Sequence, residues 1–123
     1  MGLYDAALVK ENHIASCGSI ELAINELRNR GSNTIEVEVE NIDDLKEAIE
    51  FKADIAMLDN FSDEKISEAV DLAKDKIKLE ISGNVDFNSL PKLITHNVDF
   101  ISSGDLTKNI TATDYSLIFK PID

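Results

Sequence analysis

Short apolar runs that end in polar or glycine residues recur along this chain at a nearly constant interval. They are Ile35-Glu36-Val37-Glu38-Val39-Glu40, Met57-Leu58-Asp59-Asn60, Leu79-Glu80-Ile81-Ser82-Gly83 and Phe100-Ile101-Ser102-Ser103-Gly104. Glu38 to Asp59, Asp59 to Ser82 and Ser82 to Ser103 are 21, 23 and 21 residues apart. Each interval holds one strand, one helix and two short loops, the pitch of a parallel βα repeat. In barrels of this kind the carboxyl ends of the strands carry the chemistry, because the βα loops converge there. The polar run-ends are therefore candidates for a single ring of site residues.

The chain between these points reads as alternating strands and helices. Residues 6–9 form a first strand that enters the polar cluster Lys10-Glu11-Asn12-His13. Ser19 caps a helix through Ile20, Ala23, Ile24 and Leu27, and Gly31 ends it. Residues 35–39 form the second strand. Asn41 then starts a helix with Asp43 and Asp44 in its first turn, where the macrodipole favours them. Residues 54–58 read as a strand covered on both faces, because the run is almost unbroken in apolar character. Ser62 caps the next helix, and residues 77–81 form the fourth strand. Pro91 lies in the first turn of a shorter helix that Asn97 terminates, residues 98–101 form the fifth strand, and Tyr115 to Phe119 reads as a sixth. Five βα units fit either an open doubly wound sheet or an incomplete barrel, and periodicity alone does not choose.

Composition narrows the partners. With 24 acidic against 12 basic residues the net charge is −12, which argues against nucleic acid or an anionic membrane as a ligand. Arg28 and Arg30, the two arginines, both stand at the end of the helix after Ser19. A single cysteine, Cys17, excludes an intrachain disulfide and reads as a small buried or half-buried side chain. No apolar run reaches the ~20 residues of a membrane span, so the expected location is the cytoplasm.

Several residues at the strand ends have chemical potential. Glu36, Glu38 and Glu40 share one strand face by the period-two rule. They either line a barrel interior, where a cation or sugar hydroxyls would justify their burial, or lie on an exposed edge strand. Asp59-Asn60 is either part of the site or a helix cap. Ser82-Gly83-Asn84 and Ser103-Gly104 are small turns able to present amide N–H groups to phosphate, or simply turns. Lys10 and His13 suit anions but equally suit solvent. His96 reads as a surface or capping residue at a helix end, and no histidine–cysteine set has zinc spacing.

Taken together, Leu3-Tyr4-Asp5-Ala6-Ala7-Leu8-Val9-Lys10-Glu11-Asn12-His13-Ile14 and Ala15-Ser16-Cys17-Gly18-Ser19 resemble the barrel of quinolinate phosphoribosyltransferase. So do the four run-end motifs, in matching order and spacing, across nearly the whole chain. The resemblance implies an α/β fold, a partial (β/α) barrel of about five βα units with parallel strands, spanning 1–123 as one domain. It also implies that the family's N-terminal domain and first barrel strands are lacking. The expected reaction joins quinolinate to phosphoribosyl pyrophosphate with Mg²⁺, giving nicotinate mononucleotide, pyrophosphate and CO₂.

By motif, Lys10 and His13 would hold the anionic substrates. Glu38 and Asp59 would face the ribose hydroxyls and Mg²⁺-pyrophosphate. Ser82, Gly83, Asn84, Ser103 and Gly104 would cradle the ribose 5-phosphate. Asp105 stands where the family pattern has alanine and would weaken that cradle unless its side chain turns away. The arginine- and histidine-containing motif for the quinolinate carboxylates would lie upstream of Met1. The expectation is thus an impaired catalytic portion, completed by a homo-oligomer or a complementing N-terminal chain. The alternatives are a non-catalytic, self-associating half-barrel with weak Mg²⁺-phosphosugar binding, and a relative with changed substrate in the molybdenum-transport-associated branch.

Overall fold

The computed structural model describes residues 6–120. Residues 3–5 of the first motif lie outside that range. Five strands, β1 (Ala7–Val9), β2 (Ile35–Val39), β3 (Ile55–Asp59), β4 (Lys78–Ser82) and β5 (Phe100–Ile101), form one parallel sheet in sequential order. Between them run α1 (Glu11–Cys17), α2 (Ile20–Asn29), α3 (Ile42–Glu50), α4 (Asp63–Ala73) and α5 (Leu90–Leu93), with α6 (Asp105–Lys108) after β5. A doubly wound sheet reverses its strand order and takes helices on both faces. Here the order never reverses, and right-handed crossovers place the helices on one face. The architecture is a segment of a (β/α) barrel.

Burial follows from this one-sided covering. Val9, Ile35, Val37, Val39, Ala56, Leu58, Leu79 and Ile81 point toward the helices and pack on Ile24, Leu45, Ala48, Ile66 and Ala69 in a single core. Alternate strand residues point the other way, onto a face that no helix among the described residues covers. That inner face carries Leu8, Glu36, Glu38, Ile55, Met57, Asp59, Glu80, Ser82 and Phe100, which are half-buried or exposed. β3 is therefore not covered on both faces, as its apolar run suggests. Ile55 and Met57 are barrel-interior residues and remain half-exposed.

Local chemistry sets the helix starts. Ser19 Oγ accepts from Leu22 N–H, Asn41 Oδ1 from Asp43 and Asp44 N–H, and Ser62 Oγ from Lys65 N–H. Asn97 closes the 3₁₀ turn Ile94–His96 in the left-handed region, with φ 58°. The C-terminal expectation fails. Tyr115 to Phe119 forms no strand, and Tyr115, Leu117, Ile118 and Phe119 are exposed. A strand is stabilised by the neighbour it pairs with rather than by its own residues, and among the described residues none pairs with this segment. β5 likewise shortens to two residues at the sheet edge.

Register completes the frame of the site. Leu8 pairs with Glu36, Glu38 with Met57, Met57 with Glu80, and Glu80 with Phe100. Asp59 pairs with Ser82, one side-chain layer closer to the strand ends.

Candidate active site

β2 is an inner strand flanked by β1 and β3, so its three glutamates are not edge-strand residues. They lie opposite the buried face made by Ile35, Val37 and Val39, on the inner face, and Glu40 emerges at the exposed rim. At the end of β1 the chain turns into α1, which begins directly after Lys10. His13 Nδ1 accepts the Lys10 backbone N–H at 3.0 Å, so the imidazole caps this helix and is fixed beside the lysine. The Lys10 ammonium reaches 2.7 Å from Glu38 Oε2. Glu38, hydrogen-bonded to the ammonium and attracting it, raises the lysine pKa above its ordinary value, with Asp59 adding to the effect. Lys10, Glu38 and Asp59 thus form one charged group at the strand ends.

Asp59 is not a helix cap, since Ser62 fills that position for α4. Its Oδ2 accepts Asn60 Nδ2 at 2.9 Å. Next to it, Ser82 leads into a turn in which Gly83 has φ 86° and Asn84 φ 51°. Gly83 is required there twice over, by its positive φ and by the closeness of Asn60, because a Cβ would stand 2.4 Å from Asn60 Oδ1. On the neighbouring loop, Ser103 Oγ donates to Val85 O at 2.5 Å and accepts from Asp105 N–H at 3.3 Å. Ser103 therefore ties the end of β5 to the turn after β4. Gly104 has an ordinary φ of −81° and open space around it, so a side chain would fit. Asp105 accepts Asn109 Nδ2 through Oδ1 at 2.5 Å, which draws its carboxylate along α6 and away from the loop.

Three features of this region escape a reading by motif. α1 is one, because only Ile14 in that stretch packs on the core and the remainder shows no apolar stripe; the positive-φ Gly18 that closes it was its available signal. The contact between Asn60 and Asn84 is the second. The third is a carboxyl pair, Glu80 in the layer of Glu38 and Glu36 one layer below it. Burial, and then the adjacent Glu80 carboxylate, push the Glu36 carboxyl up to about 7, and the two groups hydrogen-bond each other. Ser102 Oγ donates to Glu80 Oε1 from the far side, and Glu36 Oε1 is buried without a partner. A proton held on Glu36 gives it a donor for the Glu80 side chain.

Other polar residues lie away from the strand ends. Arg28 bonds Ser32 O, Asn33 O, Lys52 O and the Asp54 carboxylate, at the opposite end of the sheet. Arg30 pairs with Glu26. His96 is less exposed than its place at a helix end suggests, with a side chain 13% accessible and Nε2 3.2 Å from Asp63 Oδ1. Cys17 is exposed rather than buried, because α1 turns that side away from the core. No helix among the described residues is long and apolar enough to cross a membrane.

The family model for the quinolinate phosphoribosyl transferase C-terminal domain matches residues 1–118. The chain belongs to that family. Quinolinate phosphoribosyl transferase relatives include the probable nicotinate-nucleotide pyrophosphorylase of Bacillus subtilis, 39% identical over 94% of this chain and 41% of its own length. The rat nicotinate-nucleotide pyrophosphorylase is 39% identical over 89% of this chain and 38% of its own length. The solved nicotinate-nucleotide pyrophosphorylase of Francisella tularensis superposes with a TM-score of 0.85 at 52% identity, covering 89% of this chain and 40% of that one. The chain thus spans about two fifths of the length of such quinolinate phosphoribosyl transferase relatives, and that share is the barrel segment carrying the Lys10, Asp59 and Ser82 strand ends.

Proposed function

We propose that this chain provides the phosphoribosyl side of a quinolinate phosphoribosyltransferase site. The reaction would convert quinolinate and phosphoribosyl pyrophosphate to nicotinate mononucleotide, pyrophosphate and CO₂. The observation that carries this reading is the pairing of Asp59 with Ser82 on adjacent strands. It sets a carboxylate beside a glycine-centred turn at the carboxyl end of a barrel sheet. The names of the relatives, nicotinate-nucleotide pyrophosphorylases, agree with it.

In this scheme Lys10 and His13 attract the anionic substrates, while Glu38 and Asp59 face the ribose hydroxyls and the pyrophosphate. Ser82, Gly83, Asn84, Ser103 and Gly104 surround the 5-phosphate. Among these, Ser103 acts mainly by holding its loop against Val85. As the bond from the sugar carbon to pyrophosphate breaks, the positive charge that develops on the sugar is stabilised by Glu38 and Asp59. The quinolinate nitrogen takes the vacated position, and the resulting pyridinium accepts the electron pair released when the adjacent carboxylate leaves as CO₂. A proton then replaces that carboxylate.

Glu38 and Asp59 are hard oxygen donors, and Mg²⁺ is usually held by one or two carboxylates together with substrate phosphates. The residues present fit that ion. When bound, Mg²⁺ supplies neutralisation of the leaving-group charge.

Both arginines lie far from these strand ends, so neither supplies an arginine contact to the quinolinate carboxylates in this scheme. Each such contact contributes roughly 1.5–3 kcal/mol, and the chain alone is expected to turn over slowly. A second reading, a self-associating half-barrel that retains only Mg²⁺-phosphosugar binding, draws support from the uncovered inner face and its exposed Leu8 and Phe100.

The test is nicotinate mononucleotide formation by the purified chain, with Asp59→Ala as control. Turnover that disappears in the control supports the enzyme reading. Phosphoribosyl pyrophosphate binding without turnover supports the second, and neither binding nor turnover refutes both.

A further inference from the structure

Asn60 is not among the groups assigned to the substrate, yet it touches two of them. It follows Asp59 at the end of β3 and adopts the left-handed conformation, with φ 55°. This places its side-chain amide between the end of β3 and the turn after β4. Nδ2 donates to Asp59 Oδ2 at 2.9 Å, and Oδ1 accepts Asn84 Nδ2 at 2.9 Å. Its backbone N–H donates to Ser82 O at 3.1 Å. The amide therefore bridges the carboxylate to the turn, and Gly83 leaves the space in which it lies.

Residue type is restricted at such a position. Glycine, asparagine and aspartate adopt the left-handed region with least strain. Glycine has no group to bridge with. Aspartate could accept from Asn84, but its ionised side chain cannot donate to Asp59. Asparagine alone of the three gives a donor to one side and an acceptor to the other. Its bond to Asp59 is charge-assisted, the stronger class of hydrogen bond.

We propose that Asn60 is a positioning residue that locks the Asp59 carboxylate in register with the Ser82–Asn84 turn, so that the pyrophosphate and 5-phosphate ends of one phosphoribosyl substrate are met together. The inference rests on the proposed function, since it takes Asp59 and the turn as the groups facing the two ends. Fixing them before binding removes an ordering cost that each ligand would otherwise bear.

Two variants that keep the left-handed backbone separate the two halves of the bridge. Asn60→Asp retains the acceptor for Asn84 but turns the donor toward Asp59 into a like charge. Asn60→Gly removes both. Calorimetric titration of each variant and of the wild-type chain with Mg²⁺-phosphoribosyl pyrophosphate, and separately with ribose 5-phosphate, reads them out. Loss of one charge-assisted bond corresponds to roughly tenfold or more in affinity. Asn60→Asp should lose about that much for phosphoribosyl pyrophosphate while ribose 5-phosphate changes by less than about threefold, and Asn60→Gly should weaken both. Thermal midpoints measured alongside show whether losses follow stability.

Unchanged affinities in both variants would overturn the inference while leaving the proposed function standing. So would equal losses of the two ligands in Asn60→Asp that parallel a falling thermal midpoint, the signature of a merely structural side chain. A wild-type chain that binds neither ligand would remove the proposed function itself, and the positioning role with it.

Discussion

The Lys10 ammonium lies 2.7 Å from the Glu38 carboxylate and joins the end of β1 to β2. The pair is asymmetric. Glu38 is only 12% exposed, whereas Lys10 is 51% exposed. Solvent therefore compensates the lysine readily but the glutamate poorly. Lys10→Gln should lower stability by about 1 kcal/mol, read from urea unfolding, because the half-buried carboxylate loses its counter-charge. Glu38→Ala and Asp59→Ala should each leave the fold intact and abolish Mg²⁺-dependent phosphoribosyl pyrophosphate binding. Unaltered affinity in these two would mark the carboxylates as structural.

Glu36 gives the fold a pH dependence. Its carboxyl is raised from an ordinary 4.5 to about 7, by burial first and Glu80 second. Between those values the folded chain holds a proton that the unfolded chain has released, so stability falls as pH rises through this window and levels off above it. Glu36→Gln should remove that slope and make the protein about 1 kcal/mol more stable than wild type at pH 8, the full shift being discounted for partial solvent screening. Urea midpoints between pH 4.5 and 8 in metal-free buffer provide the check. Parallel curves for the two proteins would mean that Glu36 titrates normally.

Gly83→Ala combines two penalties at one atom. Its φ of 86° disfavours any Cβ, and that Cβ would meet Asn60 Oδ1 at 2.4 Å and Asn60 N at 2.9 Å. The expected destabilisation is about 1–3 kcal/mol. Gly104→Ala, which has an ordinary φ and open space, should cost less than about 0.5 kcal/mol. Thermal unfolding of the pair gives the comparison, and equal midpoints would contradict the geometry.

Among the described residues the sheet leaves β1 and β5 unpaired on their outer sides, and the inner face exposes Leu8 and Phe100. Unpaired edges and uncovered apolar surface promote association. The purified chain should therefore be oligomeric, with a mass in multi-angle light scattering of at least twice 13.6 kDa. A monodisperse monomer would exclude it.

What could be read from the sequence divides along a physical line. Ser19, Asn41 and Ser62 are legible as caps because the bond each makes lies within three residues. The core stripes of α2, α3 and α4 are legible for a similar reason, since their periodicity is local. Periodicity does not separate a barrel segment from a doubly wound sheet; the resemblance of the strand-end motifs does, and the sequential strand order bears it out. Tyr115 to Phe119 has the composition of a strand but no partner to make it one. The Glu36 shift depends on burial and on Glu80, two strands away, and no pattern within β2 announces it. Asp59-Asn60 reads as part of the site or as a helix cap, but the bridge that Asn60 makes requires knowing that Asn84 comes back beside it.

The stagger between neighbouring strands sets a distance as well as a place. Glu38 and Ser82 are separated by two strand spacings and one side-chain layer, because Glu38 pairs with Met57 while Ser82 pairs with Asp59. With strands about 4.8 Å apart and layers about 6.6 Å apart, the diagonal is about 12 Å along the backbone. The sheet therefore behaves as a ruler laid obliquely across its own strands. A small anion can occupy one mark on it, and only a ligand with charges at both ends of that span can read the whole length.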